Sequence, residues 1–394
     1  MILAVAAITY ATENFLRASP SALSPILSAE LGLSYTDIGF LFSSHFFLYG
    51  LLQLPSGVLS DRLGPRKTII GFTVFMIAGT IIFSQSTSYT TLLIAHLLTG
   101  LGSSVFYINA VKIVSGWVPL NVRASAIGVL SASSGLGNFA AYITLPLAME
   151  YMGGWRTAYV YCTGLMVVNF IVNILALKEN PRDNDTVETN KIGLLDSVKT
   201  VFGSRSLYPL MIGYILLSFF WVFSSWLPQF LTDRYGLSYV DVGFISSART
   251  LTAIPGCILV GVISDRLKKR KLPLVTLAAL STVIMSLFLV LPVGVPPMVL
   301  IVLAGLLGFS MSLWVLFFSI IPEILPQNVT GIGLGLVNGI GTIGFSLVSP
   351  IYGNLIDQTG SFFTSNMILL AAGVSMTAIF FLFLGETYGN RVEN

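Results

Sequence analysis

The chain has 394 residues, of which 55% are hydrophobic and 9% charged, with a formal net charge of +3. Soluble domains carry roughly a quarter charged residues, so these figures exclude a soluble globular protein and leave one that crosses the membrane many times. They give no ground for a nucleic-acid partner, and two cysteines, Cys162 and Cys257, make neither a disulfide framework nor a metal site.

Apolar runs long enough to span about 30 Å of hydrocarbon are predicted near 3–27, 37–59, 68–86, 90–115, 123–149, 157–177, 207–231, 239–263, 272–292, 297–325, 329–352 and 362–385. The first has no basic residues ahead of it and no small-residue cleavage site behind it, so a retained transmembrane helix is expected in place of a signal peptide. It carries Tyr10, Glu13 and Arg17 on one face, with acid and base four apart in the favourable order. A charge at mid-membrane costs at least about 2.5–3.5 kcal/mol, which makes each such group a functional candidate. The plainer reading is an internal ion pair that fastens the helix to its neighbours.

The second run ends in a charged hinge, Gly57-Val-Leu-Ser-Asp61-Arg62-Leu-Gly64-Pro-Arg66-Lys67, and the hinge returns at Gly261-Val-Ile-Ser-Asp265-Arg266-Leu-Lys268-Lys269-Arg270-Lys271, 204 positions on. Residues 32 to 63 match 236 to 267 without a gap at fourteen positions, including Leu33-Ser-Tyr and Leu237-Ser-Tyr. The chain is an internal duplication. At the same offset His45 and Arg249 are equivalent, and they are expected on opposite walls of a central cavity. The fourth run holds His96 towards one end and Lys112 towards the other; Lys112 either contributes to the site or extends its long stem to the membrane surface.

Between the sixth and seventh runs, Glu179-Asn-Pro-Arg-Asp-Asn-Asp reads as a flexible breaker-rich link. Ile192, Leu195, Val198 and Phe202, beside Asp196 and Lys199, follow at helical spacing and predict a short amphipathic helix on the membrane surface. The organisation expected is therefore an N-terminal six-helix bundle over 1–178, a linker over 179–206 and a C-terminal six-helix bundle over 207–394. Of twenty Lys and Arg, fifteen fall in the loops that contain both hinges, Arg123, the linker and the C-terminus, so those parts and both termini are expected in the cytoplasm.

Gly57, Asp61, Arg62, Gly64, Arg66 and Lys67, with the weaker echo Gly261, Asp265 and Arg266, resemble the cytoplasmic signature of the major facilitator superfamily. Lys268 stands where the echo would have its second glycine. Trp117-Val-Pro119, Arg123-Ala-Ser-Ala-Ile-Gly128 and Gly154-Trp155-Arg156 are also similar to recurrent features of that superfamily, and the resemblance covers essentially the whole chain. It implies an all-α membrane protein of twelve helices in two pseudo-symmetric bundles, a monomer in membrane lipid, moving a small solute by rocker-switch alternating access. The hinge residues would act as conformational elements.

Helix 4 of many proton-coupled members carries an arginine where this chain has His96, and the proline of the antiporter helix-5 motif is missing between Gly128 and Asn138. The first helix is similar to those of organic anion and organic solute porters. Deep in the helices Arg17, Lys112 and Arg249 face essentially one acid, Glu13, a balance that favours solutes bearing carboxylate. Arg17, Tyr10, His45, Arg249, Lys112, Tyr214 and Trp221 are therefore the candidate substrate ligands, with Glu13 and His96 candidate proton carriers and no cofactor required. The expected activity is secondary transport of an organic acid, amino acid or small peptide, coupled to protons by symport. The alternative is a proton-antiporting exporter of amphipathic drugs. An enzyme is not expected, because the loops hold no nucleotide-binding Gly-x-x-x-x-Gly-Lys, metal cluster or nucleophile with its base.

Overall fold

The computed structural model describes residues 1–178 and 194–389, except for the side chains of 53, 54, 57, 58, 61, 120, 121, 124, 194–197, 327 and 328. Among the described residues the chain is all helix and turn, with no strand. In chain order the helices are α1 (Ile2–Leu31), α2 (Tyr35–Leu63), α3 (Pro65–Ser84), α4 (Tyr89–Ser103), α5 (Phe106–Trp117), α6 (Leu120–Tyr151) and α7 (Trp155–Ala176). There follow α8 (Leu194–Gly203), α9 (Tyr208–Tyr235), α10 (Tyr239–Leu267), α11 (Lys271–Val290), α12 (Pro297–Met311), α13 (Trp314–Ile324), α14 (Gln327–Thr359) and α15 (Phe362–Phe383). Ten continuous or once-broken stretches of the described residues are long and apolar enough to cross a membrane. Helices α1 and α2 are outside that set but have 30 and 29 residues, ample length for a crossing. Glu13, Asn14 and Arg17 lower the hydropathy of α1.

The repeated Gly-Leu-Ser-Tyr-x-Asp segment has a local physical cause. Gly32 ends α1 in the left-handed region at φ 61°, and Gly236 follows α9 at φ 64°, a conformation that suits a residue without a side chain. Two residues on, Ser34 and Asp37 form a reciprocal capping box at the start of α2. Ser238 and Asp241 make the corresponding bonds at α10, where Ser238 Oγ donates to the Asp241 carboxylate at 2.7 Å and accepts from Asp241 N at 3.2 Å. The duplication thus preserves a stop signal followed by a start signal.

The other repeated segment is a turn between consecutive helices. Gly64 has φ 87°, and its counterpart Lys268 has φ 52°, the one described non-glycine residue with positive φ. Lysine there occupies a conformation that costs side-chain-bearing residues about 1–2 kcal/mol. Lys268→Gly is therefore expected to raise stability by about 0.5–1 kcal/mol, the glycine returning part of the gain through its freer unfolded chain. An unchanged melting temperature would mean that the turn relaxes around the lysine.

The helices predicted over 90–115 and 297–325 are each broken once, at Ser104-Val105 and Ser312-Leu313. Just ahead of each break a glycine backs against a repeated position: a Cβ on Gly100 would lie 2.8 Å from His45 Cα, and one on Gly308 would lie 1.9 Å from the Arg249 carbonyl oxygen. His45 and Arg249 are thus each crossed by the second helix after their own, α4 and α12.

By contacts the chain divides into two compact units. One contains 1–186, 225–247 and 349–357; the other contains 187–224, 248–348 and 358–394. In the first, α1 is fastened to α7 by a buried polar ladder. Thr9 Oγ1 donates to Asn173 Oδ1 at 2.8 Å, Asn173 Nδ2 to Asn169 Oδ1 at 2.6 Å, and Asn169 Nδ2 to Thr12 Oγ1 at 3.3 Å. At the opening of α2 the Asp357 carboxylate accepts from the backbone N–H groups of Tyr35 and Thr36, at 3.0 and 2.8 Å, an anion at a positive helix end. Arg66, expected as a hinge residue or a headgroup anchor, donates to Ile174 O in the last turn of α7 at 2.7 Å.

In the second unit the echo hinge is organised by Arg270. Its guanidinium reaches Asp265 at 2.7 Å, Glu323 at 3.0 Å and Ser264 Oγ at 3.0 Å, and it lies 4.8 Å from the Tyr388 ring. Glu386 caps the start of α11 by accepting from Arg270 N at 2.7 Å and Lys271 N at 3.3 Å, and it also takes Thr387 N and Tyr388 N. Partial burial pushes the Glu386 carboxyl up, but the backbone donors outweigh it and hold the group below the usual carboxylate range. A depressed folded-state value stabilises the protein above the unfolded value, near 4.3 for Glu, and that stability is lost as pH falls through the folded value. Glu386→Gln is therefore expected to melt at a lower temperature than the parent at pH 7, with the gap closing as pH drops below about 4.5; a constant gap would remove the carboxylate's charge from the account.

The surface helix predicted in the linker corresponds to α8. Val201 is buried and Phe202 exposed, so its covered position lies one residue from the expected one; Ile192 and the link before it lie outside the described residues.

Candidate functional site

Within the first unit five of the predicted site residues meet. Glu13 is wholly buried, and its Oε1 accepts from Arg17 Nη2 at 2.6 Å and Arg17 Nε at 3.1 Å. The other oxygen, Oε2, accepts from Asn14 Nδ2 at 2.8 Å. The spacing of four in α1 fixes the first contact, since residues i and i+4 sit one above the other on a helix face. Arg17 lies under aromatic rings from α2, with Cζ 4.7 Å from the centroid of Tyr49 and 5.6 Å from that of Phe46, the geometry in which a ring quadrupole attracts a cation.

His45 comes from the next turn of α2 towards its start. Its Nε2 lies 3.9 Å from Glu13 Oε1 and 2.9 Å from Ser103 Oγ of α4, while its Nδ1 is buried with no hydrogen-bond partner. The His96 ring sits 5.0 Å from that of His45, centroid to centroid, and His96 Nδ1 is bonded to Thr99 Oγ1 at 3.1 Å. Tyr10, also buried, faces Tyr107 at 5.3 Å. The arrangement is one acid, one fixed cation and two imidazoles in a pocket of side chains almost closed to water. The Arg17 side chain retains 16% of its exposure, against none for Glu13 and His45, so Arg17 is the charged member of this group that an incoming solute can touch.

The other predicted residues lie elsewhere. Lys112 is half-buried near the end of α5, and its Nζ donates to Ser60 Oγ at 3.1 Å, which places it beside the hinge. Tyr214 is buried in the second unit, edge-on to Trp221 at 5.3 Å and to Phe317 at 4.9 Å, with its hydroxyl 3.4 Å from Asn338 Oδ1. Arg249 is half-buried in that unit, and its Nε is buried with no hydrogen bond. Of the hinge residues, Arg62, Lys67 and Arg266 are exposed, Gly64 makes the turn, and the surroundings of Gly57 and the side chain of Asp61 lie outside what is described.

Asn14, Tyr49, Phe46, Ser103 and Thr99 complete the site and had not been singled out. Position would have found some of them: Asn14 adjoins Glu13, Tyr49 lies one turn from His45, and Ser103 lies two turns from His96. Nothing in the composition distinguishes Phe46 from the phenylalanines that face lipid.

A family model described as the Major Facilitator Superfamily matches residues 3–349. A protein of Cupriavidus necator named "Probable sulfoacetate transporter" is 25% identical over 407 residues, covering 97% of this chain and 93% of its own. The hexuronate transporter of Bacillus subtilis is 27% identical over 418 residues, covering 97% and 94%. Among solved structures, a D-xylose–proton symporter superposes with a TM-score of 0.82 over 99% of each chain at 16% identity, a likeness of fold. The match of family, fold and helical architecture makes this chain a member of the Major Facilitator Superfamily, a multi-pass membrane transport protein and not an enzyme.

Proposed function

We propose that the protein is a secondary transporter for a small carboxylate-bearing organic anion, with Arg17 as the anion's principal ligand and proton symport as its energy source. The observation that carries the reading is a guanidinium near the middle of α1, held by a fully buried carboxylate and an aromatic shelf, with part of its surface left open. Bidentate recognition of a carboxylate by such a group is strong and directional. The names of the relatives support the same solute class, since sulfoacetate and hexuronates are carboxylates.

Coupling follows from the Glu13–Arg17 pair. While Glu13 is ionised it competes with the solute for Arg17; a protonated Glu13 leaves the cation free, so proton and anion favour each other's binding. His96 is a further proton carrier in this reading, and His45, Tyr10, Arg249, Lys112, Tyr214 and Trp221 are the remaining candidate ligands. Twelve spans, formed by the ten apolar stretches with α1 and α2, would make two six-helix halves over 1–178 and 207–394. These would rock about a central site as a monomer in the cell membrane, with both termini cytoplasmic and the hinge residues Gly57, Asp61, Arg62, Gly64, Arg66, Lys67, Asp265 and Arg266 setting the rate.

The test is internal pH in proteoliposomes that enclose a pH-reporting dye, while glucuronate, galactarate, sulfoacetate, acetate, amino acids and lipophilic cations are added outside in turn. Acidification with a carboxylate is expected; a response to lipophilic cations alone would overturn the reading.

A further inference from the structure

We propose that Glu13 changes partner when an anion binds, leaving Arg17 for His45, and that His45 thereby ties anion binding to the uptake of one proton. This rests on Arg17 as the anion's ligand. In the structure Glu13 Oε1 takes both Arg17 hydrogen bonds while His45 Nε2 stands 3.9 Å from the same oxygen. An anion that grips the guanidinium competes for the same N–H groups. Oε1 is then stripped of its donors in a place that water does not reach, which a carboxylate tolerates poorly. His45 Nε2 is poised to replace them after a movement of about 1 Å, the difference between its present separation and a hydrogen bond.

The surroundings of His45 prepare it for that role. Ser103 Oγ has one hydrogen, and it donates to Gly100 O at 3.1 Å. Its lone pair then accepts from His45, which assigns the proton of the neutral ring to Nε2, the atom nearer Glu13. Nδ1 is left as a bare lone pair, buried and without a partner. Among the described residues, the titratable and charged groups around it are Glu13, Arg17 and Tyr10 from α1, Tyr49 from α2, His96 from α4 and Tyr107 from α5. Glu13 is the one acid among them, so the cluster is neutral with both rings uncharged.

A bound anion leaves the cluster one negative charge in excess. A proton that bonds to Nδ1 cancels it. The imidazolium so formed then either stays paired with the Glu13 carboxylate or passes its Nε2 proton to Oε1, the N–H bond breaking as the O–H bond forms and the ring returning to neutrality with its proton on Nδ1. One proton enters for each carboxylate that grips Arg17, by either course. The Glu13–Arg17 competition alone requires no histidine; the partner switch does.

The experiment compares two fluxes in proteoliposomes for the anions named above. Glutamine at position 45 offers Glu13 an N–H but carries no proton. His45→Gln is therefore expected to cut the accumulation driven by a proton gradient at least tenfold more than it cuts anion counterflow. An equal loss of both would show a merely structural role and overturn the proposal, as would accumulation at the parental level. The chain has two histidines, so 15N-histidine spectra of the parent hold two ring systems, separable with His96→Gln. Saturating anion is expected to move one ring's Nδ1 from the unprotonated to the protonated position, and unchanged rings would refute the switch even if His45→Gln fails to fold. A parent that moves no anion at all would instead remove the functional reading itself, and this inference with it.

Discussion

Arg17→Ala is expected to weaken anion binding by at least about 100-fold, equivalent to about 2.7 kcal/mol, and to lower stability at the same time. The binding loss follows from the removal of two charge-assisted N–H donors at a site shielded from solvent, where Lys112 is engaged near Ser60 and is no substitute. The stability loss has a different origin. Without Arg17, the Glu13 carboxylate keeps Asn14 as its hydrogen-bond donor yet remains fully buried, and breaking a buried ion pair from one side costs about 3–5 kcal/mol. The two effects separate in Glu13→Gln/Arg17→Ala. Neutralising the orphaned acid should return most of the thermal stability without returning affinity. Arg17→Lys should fall between, because a lysine supplies the charge but not the fork. Parental affinity in folded Arg17→Ala, read by isothermal titration with the transported anion, would take α1 out of the binding site.

The second large effect is expected at Arg270→Ala. That side chain is 12% exposed and pairs with Glu323, itself 15% exposed, as well as with Asp265. Its loss leaves Glu323 with Thr387 Oγ1 as its remaining partner at 2.9 Å and removes the cation under Tyr388, while Glu386 still caps α11 through backbone groups. A loss of about 2–4 kcal/mol is expected, visible as a lower melting temperature in detergent and as earlier proteolysis after residue 383, where α15 ends. Asp265→Ala should cost far less, because Asp265 is 62% exposed and its ion pair is screened. If the two variants melt together, the network is not centred on Arg270.

These residues also show what the sequence could and could not reveal. Glu13, Arg17, His45 and His96 were legible one at a time, because an ionisable group inside an apolar run is expensive wherever it sits. Their meeting was not, since it depends on how α2 and α4 cross, and that crossing is set by Gly100 against the His45 backbone, one glycine among thirty-seven. The duplication located both hinges, yet it drew attention to Asp265 and Arg266, which are identical in the two copies. The organising residue is Arg270, whose counterpart Arg66 is also an arginine but bonds instead to the end of α7. Identity between repeats reported the shared turn and its arginine, not the partner that the arginine takes in each copy. The breaks after α4 and α12 escaped notice because Ser104 and Ser312 lie in runs that remain apolar enough to read as single crossings.

The ladder of Thr9, Thr12, Asn169 and Asn173 bears on how force travels. Apolar helix faces slide past each other in hydrocarbon at little cost, since one methyl contact replaces another, whereas amide bonds at a fixed level act as a ratchet pin. With α1 pinned to α7 one turn from Glu13, a pull on Arg17 cannot be absorbed by α1 slipping along its own axis. If Arg17 grips the anion as proposed, the pull would be delivered to α7 as well, and the side chain would drive a two-helix lever.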